Sequence, residues 1–273
     1  MSESKFVIVL KGDKIEKISS VEFARKFAEY AILASNVYPS NKTAKYFIPT
    51  HPSWRKFDET LLPKIPLPTL RTQKMIHGLF YEVWTRQIEN KIEAVIVFKG
   101  TTINIVSDWI CNLRWLTQNP FLKHIFRFFF WDYYHQVQSL TPKLIECIKK
   151  NFPTQYIDFV STGHSLGGGL AQQAAYTTND IKKVFAFNSS PVTGYKDIKK
   201  QDRLHNEMGI EISRIYQYGE ILFFFRKVAK HFHPLTTINP EIKEYQFSFF
   251  EGSAFDKHDM HQLAMNLLKA SEE

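Results

Sequence analysis

Cysteine is nearly missing: Cys111 and Cys147 are the only two in 273 residues. One bridge at most can form, so a disulfide-stapled scaffold is excluded, and so is a zinc centre built from cysteine thiolates. Glycine and proline are also sparse, 11 and 12 residues, against an average combined usage of roughly 12%. No flexible linker divides the chain. Long hydrophobic runs are absent too: the longest, among them Phe6 to Leu10, Ala94 to Phe98 and Ile221 to Phe225, are five residues each. A membrane-spanning helix needs roughly 18 or more apolar residues and the core of a secretory signal about 7 to 15. The expectation is a chain with neither, residing in the cytoplasm or exported by a signal-independent route. No internal repeat is visible.

What is abundant is apolar and aromatic. Hydrophobic residues make up 44% and aromatics 15%, with 24 Phe, 12 Tyr and 5 Trp. A chain of this length and composition can bury a substantial core as one α/β domain, 1–273, and disorder is excluded. The formal net charge of +8 predicts attraction to anionic surfaces, either nucleic acid or acidic lipid head groups.

Ser19 followed by Glu22 forms a capping-box pattern. Phe23, Ala24, Phe27, Ala28, Ala31, Ala34 and Tyr38 then recur at helical spacing, predicting an amphipathic helix over 20–38. Residues 39–68, rich in Pro, Lys and Thr, suggest a surface excursion. Phe80 to Thr85 and Ala94 to Phe98 predict a hairpin. Val137, Leu140, Leu144, Cys147 and Ile148 mark a helix, kinked or restarted at Thr141-Pro142. A strand over 156–162, a helix over 166–177, strands over 184–188 and 212–218, and a closing helix from Met260 follow. Strands alternating with helices imply a largely parallel sheet with helices on both faces.

The motif that carries chemistry is Gly163-His164-Ser165-Leu166-Gly167, preceded by a strand and followed by a small-residue helix. That context is the one a G-x-S-x-G nucleophile elbow requires. The turn is so sharp that side chains two residues either side of the serine would collide, hence Gly163 and Gly167, and the serine oxygen then points away from the backbone. At the head of a helix, the Leu166 N–H and the helix dipole are suited to binding an oxyanion. A P-loop is excluded because the Lys-Ser/Thr ending is missing, and a dinucleotide loop because the G-x-G-x-x-G spacing is.

A serine nucleophile needs a base and an acid to orient it, and in this arrangement they follow in the order Ser, Asp or Glu, His. Glu220 comes directly after the strand over 212–218. Asp197 and Asp202 lie among Lys196, Lys199, Lys200 and Arg203, which suggests a solvated charged face. Five histidines follow Ser165: His205, His231, His233, His258 and His261. His258 falls in the loop before the closing helix, where such a base is presented, and His261 on that helix's flank; both remain candidates.

These residues resemble the class 3 lipase family of α/β-hydrolases, which act on carboxylic esters of lipids. Val97-Phe98-Lys99-Gly100-Thr101-Thr102 is similar to the family's oxyanion segment, and Ser107-Asp108-Trp109-Ile110-Cys111-Asn112-Leu113 to the segment that follows it. Thr162 to Gly168 resembles the elbow, Tyr218-Gly219-Glu220-Ile221-Leu222 the acid segment, and His258-Asp259-Met260 the histidine segment. The likeness runs from about Phe27 to Leu268. It implies an α/β-hydrolase fold with Ser165 as nucleophile, His258 as base, Glu220 as acid, and Thr101 with Leu166 as oxyanion donors. Glu220 stands where Asp is commoner, and Lys99 where Arg is usual. No cofactor or metal is implied.

Two further segments, Phe121 to Trp131 and Phe223 to Phe232, interleave basic and aromatic residues. They suit either a lipid interface, with rings in the acyl boundary and cations at head groups, or a buried core with snorkelling ends. No recognised nucleic-acid-binding fold accompanies them, so no nucleic-acid partner is expected. The expected function is therefore hydrolysis of lipid esters, of lipase or phospholipase A type, with peripheral contact to an anionic membrane. The alternatives are an acyltransferase or thioesterase using the same triad, or a non-catalytic membrane-binding module on the same fold.

Overall fold

The alternation of apolar residues along Lys91–Phe98 sends Val95 and Val97 into one hydrophobic layer and Ala94, Ile96 and Phe98 into the other. A strand buried on both faces must be covered by helices on both sides. The computed structural model describes residues 6–38, 46–64, 79–100, 133–223, 226, 236 and 238–273, and it shows that arrangement. Among these residues nine strands form one sheet: β1 (Phe6–Lys11), β2 (Lys14–Ser19), β3 (Arg55–Lys56), β4 (Tyr81–Ile88), β5 (Lys91–Phe98), β6 (Tyr156–His164), β7 (Ile181–Phe187), β8 (Glu211–Gln217) and β9 (Glu241–Phe247). Their order is β2-β1-β9-β8-β7-β6-β5-β4-β3. β5 to β9 run parallel, with antiparallel hairpins at both edges.

The described residues include the helices α1 (Ser20–Asn36), α2 (Tyr133–Asn151), α3 (Leu166–Thr177), α4 (Lys200–Asn206) and α5 (Met260–Ser271). Helices α1 and α5 pack together on one face, where Phe23 and Phe27 of α1 meet Tyr245 of β9 at ring separations of 5.5 and 5.1 Å. Burying each such ring is worth about 1.5–3 kcal/mol. On the other face Leu140, Leu144 and Ile148 of α2 and Leu170, Ala171 and Ala174 of α3 cover Ile96, Val184 and Ile212. A parallel centre, helices on both faces and a strand-turn-helix elbow after β6 together make the α/β-hydrolase fold.

Ser19 caps α1 as its position suggested, accepting a hydrogen bond from the Val21 N–H. Helix α2 continues through Pro142 instead of restarting there. Strands β1, β2 and β9 were not foreseen. Strand β1 carries the apolar run Phe6 to Leu10, yet only Val7 and Val9 of it are core, and β2, at the sheet edge, has no buried residue and no apolar run to mark it. Strand β9 mixes Glu241, Lys243 and Glu244 with Ile242, Tyr245 and Phe247, which hides its alternation. The excursion after residue 39 is more than surface: Ile48, Trp54 and Phe57 are buried, and Asn36 pins Ile48 by bonding both its backbone N–H and carbonyl. No helix among the described residues is long and apolar enough to cross a membrane.

Candidate active site

The site lies at the carboxyl ends of β6, β7 and β8, where parallel α/β sheets bind ligands. Strand β6 ends at His164, and the chain turns at Ser165 with φ 56° and ψ −124° before α3 begins. This backbone is unfavourable for any residue with a Cβ and is held by its surroundings. The Ser165 N–H donates to the Phe187 carbonyl at 3.0 Å, and its own carbonyl accepts from Gly168 and Ser190 at 3.1 and 3.0 Å. The glycines are required by contact. A Cβ on Gly163 would sit 2.5 Å from the Gly167 backbone, and one on Gly167 would sit 2.2 Å from the Phe98 carbonyl oxygen. Gly100 is pressed as closely, its Cβ position lying 2.1 Å from the His164 carbonyl oxygen, so the chain leaves β5 against the elbow.

His258 closes a short 3₁₀ turn, Asp256–His258, ahead of α5. Its Nε2 is 3.1 Å from Ser165 Oγ, and its Nδ1 is 2.5 Å from Glu220 Oε2. With Nδ1–H donating to the carboxylate, Nε2 is left to accept from the serine hydroxyl. Glu220 is buried in the turn after β8, where the preceding Gly219 takes φ 75°. Its Oε2 also accepts from the Leu222 N–H at 2.9 Å, and Oε1 bonds Arg226 Nη2. Burial alone would raise the carboxyl pKa, but the His258 hydrogen bond and the Arg226 charge outweigh it and hold the group below its ordinary value.

The structure thus brings Ser165, His258 and Glu220 into one hydrogen-bonded chain. It turns His261 elsewhere: its ring meets Tyr46 edge-on at 5.7 Å. Asp202 is exposed on α4 and Asp197 is half-buried in a 3₁₀ turn. Leu166 is the first residue of α3, its side chain buried in the core. Thr101, the segment 107–113, the aromatic stretch 121–131, His231 and His233 lie outside the described residues, as do Lys227 and Lys230. Among the described residues no group of three or more His, Cys, Asp or Glu is placed to hold a metal ion.

Three participants were not found from the sequence. The segment holding Arg226 suited either a lipid interface or a buried core; Arg226 is buried beside Glu220, so the interfacial reading is corrected for this residue. The His164 ring lies against that of His258, centroids 4.6 Å apart and tilted by 47°, and its Nδ1 meets the Tyr38 hydroxyl at 2.9 Å. Burial first, and the neighbouring His258 second, push the His164 pKa well below the usual histidine value. Asn188, at φ 39°, accepts from the Gln217 N–H at 2.9 Å and donates to the Lys257 carbonyl at 3.1 Å, tying the histidine loop to the sheet. A polar Asn-Ser-Ser run directly after a buried strand was the signal available for Asn188.

No curated protein matches this sequence. Among solved structures, the Lip2 lipase of Yarrowia lipolytica is 16% identical with a TM-score of 0.44, over 96% of this chain and 95% of its own. Lipase II of Rhizopus niveus is 16% identical with a TM-score of 0.40, over 79% and 76%. An esterase of Pyrococcus furiosus is 13% identical with a TM-score of 0.34, over 72% and 87%. A family model described as phospholipase-like, the Tle-like phospholipase domain, matches residues 29–225, a span that runs through the elbow and Glu220 to Phe225. With more than two thirds of its length inside that match, and in line with its resemblance to lipid-ester hydrolases, this chain belongs to the Tle-like phospholipase domain family.

Proposed function

We propose that the chain hydrolyses a carboxylic ester of a phospholipid through an acyl-serine intermediate on Ser165. The observation that carries this reading is the unbroken chain from Ser165 Oγ through His258 to Glu220, ending on a serine held at positive φ at a helix head. His258 Nε2 takes the hydroxyl proton as Oγ attacks the ester carbonyl. Glu220 holds the imidazole in the tautomer that can accept it and stabilises the imidazolium that forms. The Leu166 N–H, unpartnered within α3 because it heads the helix, donates to the oxyanion together with the Thr101 N–H. The close approach of Gly100 to the elbow supports Thr101 in that role. The protonated His258 then hands its proton to the leaving alcohol, and a water deprotonated by His258 releases the acid. The net charge of +8 favours approach to anionic head groups and supports peripheral contact with an acidic membrane.

A fluorophosphonate probe tests the nucleophile directly. Wild-type protein should be labelled and Ser165→Ala should not. Glu220→Gln should lower turnover of a soluble short-chain ester by several orders of magnitude; the serine-protease counterpart of this change loses about 10⁴. Labelling that persists in Ser165→Ala, or full turnover in Glu220→Gln, refutes the reading. Product analysis with water and alcohol acceptors separates hydrolysis from acyl transfer.

A further inference from the structure

Arg226 is buried, 6% exposed, and none of its contacts is explained by the steps above. Its Nη2 bonds Glu220 Oε1, its Nη1 donates to the Ser189 carbonyl at 3.1 Å, and its guanidinium lies 3.8 Å over the Tyr216 ring. These partners come from different places: the acid turn, the chain leaving β7, and β8. The residue after Ser189 is Ser190, whose N–H holds the Ser165 carbonyl. One side chain therefore braces the acid against the backbone that supports the nucleophile. A buried cation is costly unless it is paired and hydrogen-bonded, and here both conditions are met.

We propose that Arg226 is a positioning residue of the triad: by holding Glu220 Oε1 and the Ser189 carbonyl together, it aims Oε2 at His258 and offsets the carboxylate charge that the imidazole faces. The inference rests on the function proposed above. The two oxygens of Glu220 are divided among three partners, Oε2 to His258 and the Leu222 N–H, Oε1 to Arg226. Among the described residues, the charged and titratable groups around the pair are His258, His164 tilted against it, Tyr216 under the guanidinium, and Arg214 and Glu244 beyond Tyr216. Removing the guanidinium leaves His258 facing an unpaired carboxylate. The carboxylate charge that Arg226 offset then bears on the imidazole in full, and the acid limb of the rate profile reads that change.

The test compares wild-type, Arg226→Met and Arg226→Lys, with Ser165→Ala as control, reading fluorophosphonate labelling rate and turnover of a soluble short-chain ester across pH. Arg226→Met should cut kcat about tenfold or more with KM little changed, and the acid limb of the rate profile should move up by about one pH unit. Arg226→Lys keeps the charge but reaches one acceptor, so its acid limb should stay in place with part of the rate regained. If Arg226→Met keeps the wild-type rate, or loses rate with an unmoved limb, the proposal is overturned. If Arg226→Met does not fold, Arg226→Lys decides alone: a several-fold loss with the limb in place supports the proposal, and a wild-type rate overturns it. If neither folds, Arg226 serves stability only and the proposal is likewise overturned. Wild-type protein that resists labelling would instead sink the triad reading itself.

Discussion

The backbone at Ser165 offers a test that separates strain from chemistry. At φ 56° and ψ −124° a residue with a Cβ bears a cost of about 1–3 kcal/mol, which glycine does not. Ser165→Ala and Ser165→Gly both delete the hydroxyl and its 3.1 Å bond to His258, so comparing the two isolates the Cβ. Glycine loses about 0.4–1 kcal/mol through its freer unfolded chain. The strain term exceeds this, leaving Ser165→Gly more stable than Ser165→Ala by roughly 0.5–2 kcal/mol. For a chain of this size that is about 1–4 °C in melting temperature, read by thermal unfolding of the two inactive variants. Equal stability, or a less stable glycine variant, would refute the argument that the surrounding structure imposes the turn on the serine.

Gly167→Ala should be destabilised by about 3 kcal/mol in urea unfolding, because the new Cβ meets the Phe98 carbonyl oxygen at 2.2 Å, a contact with backbone that cannot swing aside. A variant of near wild-type stability would show that the elbow and β5 can separate. His164 resists protonation in the fold, whereas the unfolded chain takes up that proton near pH 6.5. Its stabilising contribution is complete above that value and falls as the pH drops below it, by up to about 1.4 kcal/mol per pH unit. His164→Phe should flatten the stability profile below pH 6.5, and an unchanged slope would assign the acid sensitivity to other groups. Asn188→Ala should cost about 2–4 kcal/mol by stranding the Gln217 N–H and Lys257 carbonyl, and should lower kcat on a soluble ester more than it raises KM. A variant with full turnover would show that the His258 loop does not need this tie.

Much of the architecture was legible because it is local. The Ser19 cap, the 3.6-residue stripe of α1, the uninterrupted apolar run of β5 and the glycines around Ser165 each express a steric or burial demand within a few residues. The position of Glu220 after a strand and of His258 before a helix followed from chain order, which a parallel sheet translates into nearness at one end. The edge strand β2 escaped notice, since none of its residues is buried and it carries no apolar signature.

What the sequence determined by itself was the presence of an elbow and, from chain order and family resemblance, the choice of Glu220 and His258 as its partners, with His261 left as a second candidate. Tertiary structure alone brought Ser165 and His258, 93 positions apart, within 3.1 Å, and turned His261 toward Tyr46. It alone decided between the two readings of the basic-aromatic segment at Arg226, making it a buried brace on Glu220. The physical reason is that a charged side chain's role depends on what desolvates and pairs it, and those partners, Glu220, Ser189 and Tyr216, converge only when β7 and β8 lie side by side in the sheet.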